Sequence, residues 1–185
     1  TEEPEFDFLD YEELDRLITA AEKISTEIMV MVTVAAKVGL RIGEIRGLQW
    51  DDVDLVAKRL MVRRNIVHGK IETPKGGKSR LIPLCDSVVA ALKSQRHLRG
   101  DFVFYGEKKK TVSLKKMYQT LHFSCRKAGL RRIGFHVLRH TCGSHLAMKG
   151  VPLKVIQEVL GHRDIATTMR YAHLSPSVKR EYVNL

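Results

Sequence analysis

The sequence predicts a mainly α-helical fold (an α+β class) carrying one small antiparallel β-sheet. Three observations predict it. Apolar residues return at helical spacing over most of the 185 residues. Between positions 58 and 84 that rhythm gives way to short runs of strand character. Capping residues and terminal glycines punctuate the helical stretches. At this length, with 44% hydrophobic residues, the chain is large enough to bury one proper core. It contains no apolar tract long enough to span a membrane.

The elements follow in order. "LDYEELDRLITAAEKI" opens on Asp10, with Glu13 three residues on as in a capping box, and Leu14, Leu17, Ile18 and Ala21 form its apolar stripe. "TEIMVMVTVAAKVG" is hydrophobic nearly all round and stops at Gly39, which predicts a buried central helix. "KRLMVRRNI", "GKIETP" and "SRLIPL" read as strands, and Gly76-Gly77 between the last two predicts a hairpin joining them. Helical spacing then returns in "SVVAALKSQRH", "SLKKMYQTLHFSCRKAGL" and "HVLRHTCGSHLAMKG". "PLKVIQEVLG" opens with Pro152 in a first turn and closes on Gly161. "DIATTMRYAH" is a last helix, followed by a tail.

Composition narrows the function classes. Lysine plus arginine total 32 against 21 acidic residues, a net charge of +11, which points to a polyanionic partner such as nucleic acid. The three cysteines, Cys85, Cys125 and Cys142, are far apart and form no C-x-x-C, so they read as free thiols of a reducing, cytoplasmic compartment. The acidic start "TEEPEFDFLD" has neither the basic nor the apolar region of a signal peptide and reads as a linker, residues 1–8.

Several side chains are candidates for chemistry. At about 100° per residue, Ile165, Ala166, Met169 and Ala172 make the apolar stripe of the last helix. Tyr171 falls about 150° from its middle and is expected to face solvent or a ligand. His136 and Arg139, at i and i+3, lie on one helical face, where both can donate to one anion, with His140 and Gly143 on the same side. Arg41, just past the glycine that ends a buried helix, needs an anion or a carboxylate, and Glu44 is placed to supply one. Lys75 and Lys78 flank the Gly-Gly turn, where each is either simply solvated, a DNA contact or a proton donor. His136 and His140 have i,i+4 spacing but no glutamate follows the first, and the cysteines are badly spaced for zinc, so no metal or other cofactor is expected.

Taken together and in this order, the motifs resemble the catalytic domain of the tyrosine recombinases, the phage-integrase family of DNA strand-exchange enzymes. "VGLRIGEIRGLQWDDVDL" resembles the first family box, "TPKGGKSRLIPL" its β-hairpin lysine segment, "HVLRHTCGSHL" its H-x-x-R box and "VIQEVLGHRDIATTMRYAHL" its last. The resemblance spans Leu9 to His173. It implies a catalytic domain over residues 9–174, preceded by a core-binding domain absent from this sequence, and a 175–185 tail that docks in cis or in trans. It implies six active-site residues, Arg41, Lys75, His136, Arg139, His162 and Tyr171, with Glu44 in support. Tyr171 is then the nucleophile of a 3′-phosphotyrosyl intermediate that needs neither ATP nor metal. His136 is left with two roles, a base near Tyr171 or a positioning donor. Tyr182 shares a helical face with Val178 and Leu185 and reads as packing. The implied partner is double-stranded DNA, bound by a tetramer of a bacterial or phage-encoded protein that is cytoplasmic and nucleoid-associated. Lys78, Arg80, Lys115, Lys116, Gln119, His122 and Arg126 are the expected DNA contacts, mostly to phosphates and therefore salt-sensitive. Two rival readings share these residues: DNA relaxation of the type IB topoisomerase kind, and a non-catalytic DNA-binding relative.

Overall fold

A computed structural model describes residues 6–73, 79–106 and 111–176. Eight α-helices and two small sheets are present among them. Helices α1 (Tyr11–Glu22), α2 (Thr26–Val38) and α3 (Ile42–Gly47) precede the strands β1 (Val53–Asp54), β2 (Arg59–Val62), β3 (Asn65–Val67), β4 (Lys70–Glu72) and β5 (Arg80–Pro83). Then come α4 (Asp86–Gln95), α5 (Leu114–Lys127), α6 (Phe135–Met148), α7 (Leu153–Leu160) and α8 (Ile165–Met169).

The expected caps hold. Asp10 accepts from the Glu13 backbone N–H at 2.7 Å while Glu13 reaches back to the Asp10 N–H at 3.0 Å, which satisfies two otherwise orphan donors of α1. Gly39 ends α2 in the left-handed region (φ 75) and Gly161 ends α7 likewise (φ 65). Helix α2 is the axle. Its Val30, Val32, Val34 and Ala35 have no exposure, as a helix apolar all round demands, and α1, α4 and α6 pack around it.

The sheets depart from expectation. β5 pairs antiparallel with β2, Leu60 opposite Ile82, and β1 completes that sheet. β4 pairs with β3 in a separate two-stranded ladder, so among the described residues β4 and β5 do not pair; Gly76-Gly77, the expected hairpin turn, lies outside the described residues. A tight turn lies at His68-Gly69, both with positive φ (48 and 79), joining β3 to β4. A lone histidine at that φ is a weak sequence signal, and it lost to the more visible Gly-Gly. The last helix is also shorter than expected. α8 stops at Met169, and after a turn at Tyr171 the chain resumes as a 3₁₀ turn over Ala172–Leu174.

Residues 6–9, read partly as linker, are bound to the domain. Leu9 donates its backbone N–H to the Thr141 hydroxyl (3.0 Å), and its carbonyl pairs with His145 Nε2 (2.8 Å). Asp7 and the Phe8 carbonyl both receive the Arg131 guanidinium. The segment thus runs as a strap across α6.

Candidate active site

The end of α7 organises the site. The last carbonyls of a helix have no intrahelical partner and carry its negative dipole end, so cations are favoured there. Three consecutive carbonyls each take one arginine. Val159 O accepts from Arg80 Nε (2.9 Å), Leu160 O from Arg139 (2.6 Å) and Gly161 O from Arg41 (2.9 Å). Arg139 also donates to the carbonyl of Gly39, at the end of α2 (2.6 Å). Two helix ends thus converge on one guanidinium.

Glu44 supplies the carboxylate. It is buried, and it accepts both terminal nitrogens of Arg80 (2.9 and 2.8 Å), one of Arg41 (2.9 Å) and the Arg41 backbone N–H (2.9 Å). Burial alone would raise its pKa; the fork of Arg80 and the charge of Arg41 overcome that and lower it. Glu44 therefore stays ionised and holds two arginines in fixed poses. Arg80, expected among the DNA contacts, is mostly buried in this clamp; its guanidinium is committed to Glu44 and α7. Burial and the charge of Arg41 depress Arg139 to about 10, which still leaves it cationic at neutral pH.

Tyr171 does not face outward. Its ring is fully buried, whereas Ile165 and Met169, the expected apolar stripe, are 40% and 50% exposed. The helical phase fails because α8 ends before Tyr171. The backbone turn swings the ring under α6 into a small core with Cys142, Ala147, Ile156 and Leu160. Gly143 makes the space: a Cβ there would stand 2.5 Å from the ring's Cζ. Phe6, at the far end of the strap, packs edge-on against the ring with centroids 5.1 Å apart. The phenol oxygen lies 2.8 Å from His140 Nδ1. Burial pushes the Tyr171 pKa up to about 12 even though Arg139 and Arg170 pull it down.

His162 lies beside it, its ring nearly parallel to the tyrosine (7°, centroids 6.5 Å apart) and its Nδ1 2.9 Å from the buried Thr168 hydroxyl. Burial and the nearby Arg139 and Arg41 drive its pKa down to about 3, so the ring is neutral at physiological pH. His136 is exposed, perpendicular to His140 at 4.5 Å. Its pKa is lowered by partial burial and by Arg139. Arg41, His136, Arg139, His162 and Tyr171 are thus brought into one region. Lys75, Lys78 and Tyr182 lie outside the described residues. The motif reading missed His140 as the phenol's partner; its only signal was that it sits on the His136 side of α6.

On α5, Lys115, Lys116, Gln119 and Arg126 are exposed and His122 is half-buried. Lys116 pairs with Glu27 (2.7 Å), His122 accepts from Arg132 (3.4 Å) and Arg126 lies over Phe123. All three cysteines are free. Among the described residues no cluster of three metal-ligating side chains occurs, and no helix is long and apolar enough to cross a membrane.

A family model described as the phage integrase family matches residues 7–177. A tyrosine recombinase of Thermosipho africanus is 32% identical over 180 residues, which cover 96% of this chain and 60% of that protein. The chain therefore spans well under two thirds of that relative. The crystal structure of XerA recombinase superposes with a TM-score of 0.78 at 30% identity, over 98% of this chain and 66% of that one. The catalytic domain of bacteriophage HP1 integrase shares the fold, with a TM-score of 0.72 at 23% identity over 98% of this chain and 95% of that domain.

Proposed function

The chain belongs to the phage integrase family, the tyrosine recombinases, and from that premise we propose that it is the strand-cleaving domain of a site-specific DNA recombinase acting through a 3′-phosphotyrosyl intermediate. One observation carries this reading beyond family membership. Glu44 and the end of α7 hold Arg41, and the ends of α2 and α7 hold Arg139, beside His162, whose ring lies parallel to that of Tyr171.

Phosphodiester cleavage needs a nucleophile, neutralisation of charge on the non-bridging oxygens and a proton for the leaving oxygen. Arg41 is fixed to Glu44 and the Gly161 carbonyl, and Arg139 to the Gly39 and Leu160 carbonyls, each through only part of its five N–H donors. The remaining donors serve the phosphate, with planar forks that suit its geometry. His162, neutral, keeps one ring nitrogen on Thr168 and offers the other to the phosphate. Tyr171 attacks phosphorus, and the 5′-oxygen leaves with a proton from Lys75, or from Lys78 if that side chain is the nearer. The energy of the broken bond is kept in the phosphotyrosyl ester, so a 5′-hydroxyl from another strand can reseal it without ATP.

The wider reading follows the same premise. The partner is double-stranded DNA, bound along α5 by Lys115, Lys116, Gln119, His122 and Arg126. A tetramer on DNA, a further DNA-clamping domain upstream and a cytoplasmic, nucleoid-associated setting complete it, with residues 175–185 docking in cis or in trans. The test is covalent capture. A pool of nicked duplexes with a randomised core is incubated with the chain, and adducts are separated under denaturing conditions and sequenced. Wild type is expected to form an adduct that protease digestion reduces to a tyrosyl-DNA peptide, and Tyr171→Phe to form none. An adduct persisting in Tyr171→Phe would remove the nucleophile assignment.

A further inference from the structure

Among the histidines around Tyr171, the one that contacts its phenol oxygen lies outside the active-site set that the family boxes imply. His140 Nδ1 stands 2.8 Å from the phenol oxygen, whereas among the described residues no hydrogen bond joins His136 to Tyr171. The phenol can donate or accept, so the imidazole tautomer sets the direction; with the ring proton on Nε2, the phenol donates to Nδ1. The groups around His140 keep the ring neutral. His136 precedes it by one turn, Arg139 is its chain neighbour, and Arg170 faces it from the end of α8. Asp7 on the strap is the one opposing charge, and His162 lies beyond the tyrosine. Burial first, then the neighbouring His136 ring and the charges of Arg170 and Arg139, hold the His140 pKa at about 4, so the ring is neutral at neutral pH. The contact is also enclosed, by Phe6 across both rings (5.2 Å to His140, 5.1 Å to Tyr171) and by Gly143 one turn along α6.

We propose that His140 is the acceptor that sets the pose of the Tyr171 phenol and takes its proton as the phosphotyrosyl bond forms. The proposal rests on the reading of Tyr171 as nucleophile. In the step, the Tyr171 Oη–P bond forms and the P–O5′ bond breaks. The phenol proton passes to His140 Nδ1, and the 5′-oxygen receives its own proton from the separate acid. A weakly basic imidazole suffices, because the phenol proton becomes strongly acidic once its oxygen is bonding to phosphorus. Helix α6 then carries both the charge clamp Arg139 and the nucleophile's acceptor, one residue apart.

The experiment measures single-turnover adduct formation on the best duplex from the covalent capture. Wild type is compared with His140→Ala, His140→Asn and His140→Gln from about pH 5.5 to about pH 8.5. The asparagine oxygen occupies the place of Nδ1, whereas the glutamine oxygen reaches about one bond farther. His140→Ala is expected to slow adduct formation by roughly 100-fold or more, in the range general acid–base groups contribute, with DNA affinity unchanged. His140→Asn should recover part of the loss through its amide oxygen, with a pH profile parallel to wild type, whose imidazole is neutral throughout this range. His140→Gln should recover none. In the resting chain, the ¹³Cζ resonance of labelled Tyr171 should move in His140→Ala and His140→Gln and return toward wild type in His140→Asn. Equal rates, a faster alanine variant or a glutamine variant matching asparagine would each overturn the proposal. If the alanine variant does not fold, the asparagine–glutamine comparison decides alone. Failure of the parent reading is distinguishable, because wild type then forms no adduct while the ¹³C shifts still report the contact.

Discussion

Gly143 lies in the middle of α6, where alanine ordinarily stabilises a helix by roughly 1 kcal/mol over glycine. Here the sign is expected to reverse. A Cβ at this position would meet three ring carbons of Tyr171 at 2.5–2.9 Å, closer than any real contact, and the ring is walled by Phe6 on another side. Gly143→Ala should therefore cost about 1–3 kcal/mol, as overpacking of a filled core does, and expel the phenol from His140. Thermal melting and adduct formation check this together: a higher melting temperature with unchanged cleavage would show that the ring has room to move. The same pair explains what the sequence withheld. Helical phase was a sound guide for α1, where Leu14 and Leu17 are buried as expected, because α1 runs 12 residues and its stripe faces α2 throughout. It misplaced Tyr171 because α8 has five residues and the burial of that ring is decided by a glycine 28 positions earlier. No local pattern encodes that contact.

The unit of construction at the element scale is a helix end. The motif boxes made Arg41, Arg139 and His162 readable as a set; Arg41 and His162 follow the glycines that end α2 and α7, and Arg139 lies within α6. They did not show that Arg80 shares the same helix end. Its partner Glu44 is 36 positions away, and a basic residue after a lysine-rich turn looks like a DNA contact. The structure gives it a different task, with a measurable size. Arg80→Ala removes the bidentate partner of a buried carboxylate and is expected to cost about 3 kcal/mol, the lower end for breaking a buried pair, because Arg41 remains. Arg80→Lys keeps the charge without the fork and should recover only part of that loss. Denaturant unfolding measures both, and a cost under about 0.5 kcal/mol for the alanine variant, the level of a neutral surface change, would mean that the clamp is not structural. The strands show the same limit. Their existence was readable from composition, but their pairing was not, because the β3–β4 ladder closes at His68-Gly69, a turn with little sequence signal.

Across the whole molecule, the recurring electrostatic feature is the neutral histidine. His122, His136, His140, His145 and His162 are all pushed below the ordinary imidazole value, burial being the first cause in each, with His140 at about 4 and His162 at about 3. In the unfolded chain these side chains regain protons near pH 6.5. Below that value the unfolded state binds more protons than the folded one, so stability falls as the pH drops from about 6.5 toward 4. Glu44 does not share this window, because its lowered pKa keeps it ionised until below the usual carboxylate range. The early acid loss is therefore a histidine effect. The melting temperature at constant ionic strength is expected to fall by roughly 5 °C or more between about pH 7.5 and about pH 5. A flat or rising profile over that interval would show that the histidines are already protonated in the fold. Near pH 10 to 12 the sign is the opposite for Tyr171, whose raised pKa of about 12 makes stability decline as the unfolded phenol ionises first.

Phe6 sits at the strap's outer end with its ring edge-on to Tyr171 and close to His140 and His173. A fluorine on that ring would lie within the shielding field of the aromatic group whose movement matters most, while leaving the arginines, histidines and phenol unaltered. The packing that closes the pocket thus doubles as a built-in gauge. Following one ¹⁹F line as DNA is added would show whether the tyrosine leaves its berth on binding, on pairing of two complexes, or only as the strand is cut.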